Sequence, residues 1–334
     1  MTARAWWAVV AMYLGKIRDS LTADDDADAD AAPTTTTTTT TEGTNLMTPL
    51  AKVLAVRLIS VFEGGRPSTP YSYIAWLSDG GGYTMGLGLL SSLGEVGEIA
   101  RDAVTRGADL AAYAPALVTD WRNGGVRGLG LDGGAPDAEQ HALFDARMGI
   151  AVSYGNRDDG STFGTPTGFL AAWVAAAKTP ELQGAHDAFF DRTYFAPGEQ
   201  LAAKLGLTLA FSALTIIDTC LLQGAGQDST DGAHDDTCWA VINRTTARVG
   251  GPSAAGERWW VRVFLEERRK ALANPRALAD GTMPKVAAQW IGSLPRADIL
   301  IAIAQRADWS FESPVVETGP HFGVAFDAAK EWTP

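Results

Sequence analysis

From residue 48 onward, apolar positions recur at helical spacing over most of the chain. Thr48-Pro49 is a start signal, because threonine caps a helix well and proline fits the first helical position. Leu50, Val53, Leu54, Leu58, Val61 and Phe62 then mark one apolar face, and Gly64-Gly65 stop the helix directly after Glu63. A second helical segment is predicted over Tyr71 to Leu77. Residues 83–93 read as short strands with bends at glycine, consistent with a small sheet. Beyond them the pattern is mostly helical, at about 95–106, 109–118, 167–177, 180–192, 198–223, 236–248, 256–273, 284–292 and 295–306. Residues 119–165 hold many Gly and Asp residues and are expected to form an extended insertion, with a helix near 137–148.

The first 46 residues stand apart. Trp6 to Leu14 is a short apolar stretch after Arg4, followed by an Asp/Ala run from Asp24 to Asp30 and eight threonines, Thr34 to Thr41. Both runs have almost nothing to bury, so a disordered segment or extended linker is expected. The apolar stretch resembles a weak export signal that lacks the small-residue cleavage pattern, and Met47 is an alternative start. The expected organisation is this segment, 1–46, ahead of one folded domain, 47–334, and the expected location is outside the cell.

At 334 residues, 46% of them hydrophobic, the chain is long enough for one sizeable core or a core with two lobes. No apolar run approaches the roughly 20 residues of a membrane span. The formal net charge is −12, and of 39 acids and 27 bases only seven and three lie up to residue 46. The acidity therefore belongs to the folded part as well. It argues against nucleic acid, whose phosphates would be repelled, and suits a neutral or cationic ligand. Cys220 and Cys238 allow one bridge in an oxidising compartment or two buried thiols, and the spacing leaves both open. His141, His186, His234 and His321 are scattered, and no Cys/His spacing reads as a zinc site.

The chemistry concentrates at two acids. Glu63 ends its helix, where the backbone dipole disfavours a carboxylate and raises its pKa, as suits a general acid. Asp79 opens the segment Asp79-Gly80-Gly81-Gly82-Tyr83-Thr84, whose glycines leave room for water and for backbone N–H groups around the anion. That suits a general base, with the Thr84 hydroxyl placed to hold the same water. Two carboxyls in different environments divide the acid and base work of cutting a glycosidic bond. The bland alternative makes Glu63 a solvated helix-end acid and Asp79 an ordinary turn residue, and spacing alone does not separate the two. Such hydrolysis needs water only, so no cofactor is expected.

Larger blocks extend this pattern. Leu58-Ile59-Ser60-Val61-Phe62-Glu63, then Tyr71-Ser72-Tyr73-Ile74, then Asp79 to Gly86 resemble the catalytic segment of the family 46 glycoside hydrolases, the chitosanases. Tyr113 to Leu117, Phe169 to Ala177, Asp191 to Phe195 with the helix to Asp218, Gln223 to Gly226, and Phe264 to Arg268 match in the same order. The resemblance covers most of residues 48–325 outside the insertion.

It implies a mainly α, lysozyme-like α+β fold: two helical lobes with a small β-sheet flanking a substrate cleft. It further implies inverting hydrolysis of β-1,4 links in chitosan by a monomer, with Glu63 as acid, Asp79 as base and Thr84 positioning water. Asp218 and Arg268 match a family ion pair behind the base. Tyr71, Tyr73, Gly81 and Glu95 are the candidate substrate contacts, with Trp76 as a further aromatic that is more often core. The chain departs from the family at Gly81, where arginine is common, which removes one influence on the pKa of Asp79. Lys285 aligns loosely with another family arginine. The alternatives are a lysozyme-like hydrolase of peptidoglycan or partly acetylated chitin, and a non-catalytic glycan-binding protein.

Overall fold

A computed structural model of the chain describes residues 46–64, 69–76, 83–86, 90–91, 95–114, 137–152, 154–156, 162–226, 236–275, 287–312, 315–317 and 325–327. In chain order its elements are α1 (Pro49–Gly64), β1 (Ile74–Trp76), β2 (Tyr83–Met85), β3 (Leu90–Ser91), α2 (Glu95–Thr105), α3 (Asp137–Arg147), β4 (Gly155–Asn156) and β5 (Thr162–Phe163). There follow α4 (Gly168–Ala176), α5 (Pro180–Phe190), a π-helical turn (Asp191–Phe195), α6 (Ala196–Lys204), α7 (Ala210–Gln223) and α8 (Cys238–Val249). The series ends with α9 (Pro252–Ala255), α10 (Glu257–Ala273), α11 (Ala287–Gly292), α12 (Leu294–Arg306), β6 (Val315–Glu317) and β7 (Ala325–Asp327). The chain is thus mainly helical with small antiparallel sheets. No helix among the described residues is long and apolar enough to cross a membrane.

The described residues divide into two compact units, one over 69–192 and one joining 46–64 to the residues after 192. In the first, β1, β2 and β3 form an antiparallel sheet with Ala75 opposite Thr84 and Trp76 opposite Tyr83. The Asn156 side chain of β4 accepts from the Ile74 N–H at 2.9 Å, which ties the β4–β5 hairpin to that sheet. Helix α2 buries Val96, Ile99, Ala100 and Ala103, and packs on α5.

The second unit is built around α7, which is buried along its whole length. A helix that is apolar all round belongs inside a core. Its Thr215 and Thr219 hydroxyls donate back to the carbonyls of Phe211 and Thr215, so they are buried with partners. Helices α1, α6, α8 and α10 pack on it. The approach of α6 is close enough to require Gly198, where a Cβ would stand 2.4 Å from Ile217 Cγ1. Helix α1 begins as its sequence predicts, with the Ala51 N–H donating to Thr48 Oγ1 at 3.2 Å. Its apolar face (Ala51, Leu54, Ala55, Leu58, Ile59, Val61, Phe62) is buried and delivers Glu63 at the last turn.

Three local expectations are corrected. Of the helix predicted over Tyr71 to Leu77, the described residues 71–76 are not helical: Tyr71–Ser72 turn and Ile74–Trp76 pair with β2, because cross-strand packing overrides an ambiguous aromatic spacing. Residues 109–114 form turns rather than a helix, and 115–118 lie outside the described residues. The segment 198–223 is two helices. At φ +77° Gly206 closes α6, its N–H donating to Ala203 O while Leu207 N–H donates to Ala202 O, the paired bonds that end a helix at glycine. Cys220 and Cys238 are free and buried. Burial pushes the Cys238 thiol well above its ordinary range, reinforced by its hydrogen bond with Cys220.

Candidate active site

Glu63 is buried in the second unit at 8% exposure and does not stand alone there. Arg296, the third residue of α12, donates from Nη1 to Glu63 Oε1 at 2.5 Å. The same guanidinium grips Asp218 of α7, with Nε at 2.9 and 3.0 Å from the two carboxylate oxygens and Nη2 at 2.6 Å from Oδ1. Its face lies 4.9 Å from the ring centroid of Phe62. On the other side of Asp218, Arg268 of α10 places Nη1 at 2.8 Å from Oδ2 and donates from Nε to Gln223 Oε1 at 3.1 Å. Gln223 closes the row by donating to the Asp236 carbonyl at 2.6 Å.

The electrostatics follow from this row. Burial raises Glu63 from its ordinary value near 4.5 to about 7, against the pull of Arg296 and with a small push from Asp218. Burial would raise Asp218 too, but the Arg296 and Arg268 guanidiniums outweigh it and hold the carboxyl below its ordinary value. Arg296 itself is held protonated by Asp218 and Glu63 despite its burial. One acid is therefore kept neutral and its neighbour kept ionised. Since Oε1 accepts from Arg296, the proton of Glu63 falls to Oε2, which is buried and has no hydrogen-bond partner among the described residues.

The raised pKa has a signature in stability. The unfolded chain gives up the Glu63 proton near 4.5 and the folded chain only near 7, so the folded state holds the extra proton between those values. Its contribution is full below 4.5 and is lost as pH rises through 7. An offset of that size corresponds to about 3 kcal/mol. Urea unfolding at about pH 4 and about pH 8 is therefore expected to show Glu63→Gln gaining roughly that amount on the wild type.

The other candidates lie in the first unit or outside the described residues. Thr84 is buried at 5% exposure in the central strand, between Ala75 and Ser91. Tyr71 donates its hydroxyl to both Asp187 oxygens, at 2.8 and 3.0 Å, and its carbonyl accepts from Trp173 Nε1. Tyr73 is partly exposed, with its carbonyl accepting from the Gly86 N–H. Glu95 opens α2, also partly exposed. Trp76 stacks on His141 with centroids 3.9 Å apart. Asp79, Gly81 and Lys285 lie outside the described residues. The expected ion pair of Asp218 and Arg268 is present, and its described contacts lead through Arg296 to Glu63.

Arg296 is the residue that reading the sequence missed. It shares a helical stripe with Ile299, Leu300 and Ile303, all buried, so the available signal was a lone cation on an apolar face.

Residues 153–315 match the model of glycosyl hydrolase family 46. A curated relative, the chitosanase of Bacillus subtilis (strain 168), is 27% identical over 275 residues, 80% of this chain and 82% of the relative. Among solved structures, the native chitosanase from Bacillus subtilis MY002 aligns with TM-score 0.59 at 24% identity, covering 84% of this chain and all of that one. A Gynuella sunshinyii family 46 chitosanase in complex with chitotetraose aligns with TM-score 0.55 at 25% identity, covering 84% and 98%. The expected fold class, mainly helical with a small sheet and lysozyme-like, is the one the chain shares with these structures. On these matches the chain is similar to the glycosyl hydrolase family 46 chitosanases, with the family model itself matching over 153–315, and it is a glycoside hydrolase.

Proposed function

We propose that the chain hydrolyses β-1,4 links within chitosan with inversion at the anomeric carbon, Glu63 acting as general acid and Asp79 as general base. The observation that carries this reading is the state of Glu63: buried, raised to about 7, and with its free oxygen unpartnered among the described residues. A carboxyl still protonated near neutral pH is what a leaving glycosidic oxygen requires. As the bond breaks, Glu63 becomes an anion, and Arg296 already donates to its Oε1, so the developing charge meets a fixed cation. Asp218 and Arg268 hold that cation in place.

Asp79 takes a proton from the attacking water, and the Thr84 hydroxyl orients that water. An inverting pair needs its carboxyls about 6.5–9.5 Å apart to admit it. Tyr73 and Glu95 contact the sugar chain beside Gly81, which lacks the arginine side chain common at that position in the family. Tyr71 contributes its ring, since its hydroxyl is committed to Asp187.

The substrate assignment draws on relatives whose names say chitosanase and on neighbours bound to six GlcN units and to chitotetraose. A polymer of glucosamine is a polycation, and a chain of net charge −12 attracts one. Such a polymer is met outside the cell, where the enzyme acts as a monomer and without a cofactor.

Proton NMR of the first products from soluble glucosamine oligomers tests the reading. The α-anomer is expected to appear first and mutarotate. First appearance of the β-anomer, or cleavage of chitin or cell walls in preference to chitosan, would overturn it.

A further inference from the structure

Trp76 and Tyr83 form the cross-strand pair at the end of the β1–β2 ladder that residues 77–82, Asp79 among them, connect. Helix α3 grips both. Its His141 stacks on Trp76 with planes 10° from parallel, and His141 Nε2 lies 2.9 Å from the Tyr83 hydroxyl. That hydroxyl donates to Asp145 Oδ1 at 3.0 Å, one turn further along α3. Asp145 Oδ2 in turn lies 3.3 Å from His141 Nε2. The Tyr83 hydroxyl has a single proton and gives it to Asp145, so it accepts from His141, and Nε2 is the protonated nitrogen. Phe144, fully buried on the same face, backs both rings with centroids 6.4 Å from Trp76 and 5.7 Å from Tyr83.

An anchor for a surface helix needs only the apolar contact that Phe144 and Met148 provide. Here two polar side chains are directed as well at the two residues that flank 77–82. We propose that α3 is a positioning element for the hydrolytic reaction, with His141 and Asp145 fixing Trp76 and Tyr83, and through them the two ends of the segment that bears Asp79. The proposal rests on the reading of Asp79 as general base and gives a role to the stretch 119–165. Thr84, the next residue after Tyr83, is fixed by the same contacts. The physical ground is the steep dependence of rate on placement, where a shift of about 1 Å costs about a hundredfold.

Three substitutions dissect the clamp. His141→Phe keeps a stacked ring and removes the Nε2 bond, Tyr83→Phe removes one oxygen, and Asp145→Asn keeps an acceptor. His141→Phe and Tyr83→Phe are expected to lower kcat about tenfold with KM within about twofold, while Asp145→Asn retains most of the rate. Placed on Asp79→Asn, His141→Phe is expected to cost nothing further, because both act through one group. Full kcat per folded molecule in both phenylalanine variants, or an additive loss on Asp79→Asn, would overturn the clamp. Should His141→Phe fail to fold by circular dichroism, Tyr83→Phe carries the same comparison. Wild-type activity of Asp79→Asn alone would overturn the base assignment, and this proposal with it. An inactive Asp79→Asn beside fully active clamp variants overturns only the clamp.

Discussion

Replacing Glu63 by glutamine is expected to lower kcat for chitosan cleavage by roughly two to four orders of magnitude, the range a positioned general acid supplies. Glutamine retains an Oε1 that accepts from Arg296 Nη1, so the buried row keeps its hydrogen bonds and the fold survives. It has no proton to give the leaving oxygen. KM should change little, because the lost interaction exists only as the bond breaks. Reducing-sugar release measures the effect, and a variant with undiminished kcat would remove Glu63 from the mechanism.

The second large effect belongs to Arg296. It is nearly fully buried and is the contact that joins Asp218 to Glu63. Arg296→Met leaves the ionised Asp218 with Arg268 alone, and breaking a buried ionic group by removing one partner costs about 3–5 kcal/mol. Urea unfolding is expected to show a loss of that size, partly restored by adding Asp218→Asn, which removes the stranded charge. A loss below about 1 kcal/mol would mean that the row is not held by charge. Arg296 also pulls the pKa of Glu63 down against burial, so its removal moves the basic limb of kcat/KM to higher pH.

What could be read from the sequence was set by the range of the forces involved. Helix α1 is a local object: a capping threonine, a proline, an apolar stripe and two glycines state both of its ends, and the structure has them. The strand at Tyr83–Met85 was legible for the same reason. Tyr71 to Leu77 was not, because its aromatics fit either period and the decision came from pairing with residues that follow it. The break at Gly206 was legible in principle, since Lys204-Leu205-Gly206 carries a basic last turn and a closing glycine, but the apolar pattern on both sides masked it. Arg296 lies 233 positions from Glu63, and the Tyr83 contacts with His141 and Asp145 span 58 and 62 positions. Tertiary packing makes both sets of contacts, and no local pattern encodes them. The cause of the acid's raised pKa was legible only in part: the helix end was visible, while the dominant influence, burial, depends on the whole second unit.

The carboxyl resonance of Glu63, followed by carbon NMR as pH rises and assigned by its absence in Glu63→Gln, tests most directly whether this group is a neutral acid in the folded enzyme. The carboxyl is expected to titrate near 7, with kcat/KM on soluble glucosamine oligomers falling through the same pH. Titration at the ordinary value near 4.5, with activity persisting far above it, would contradict the account.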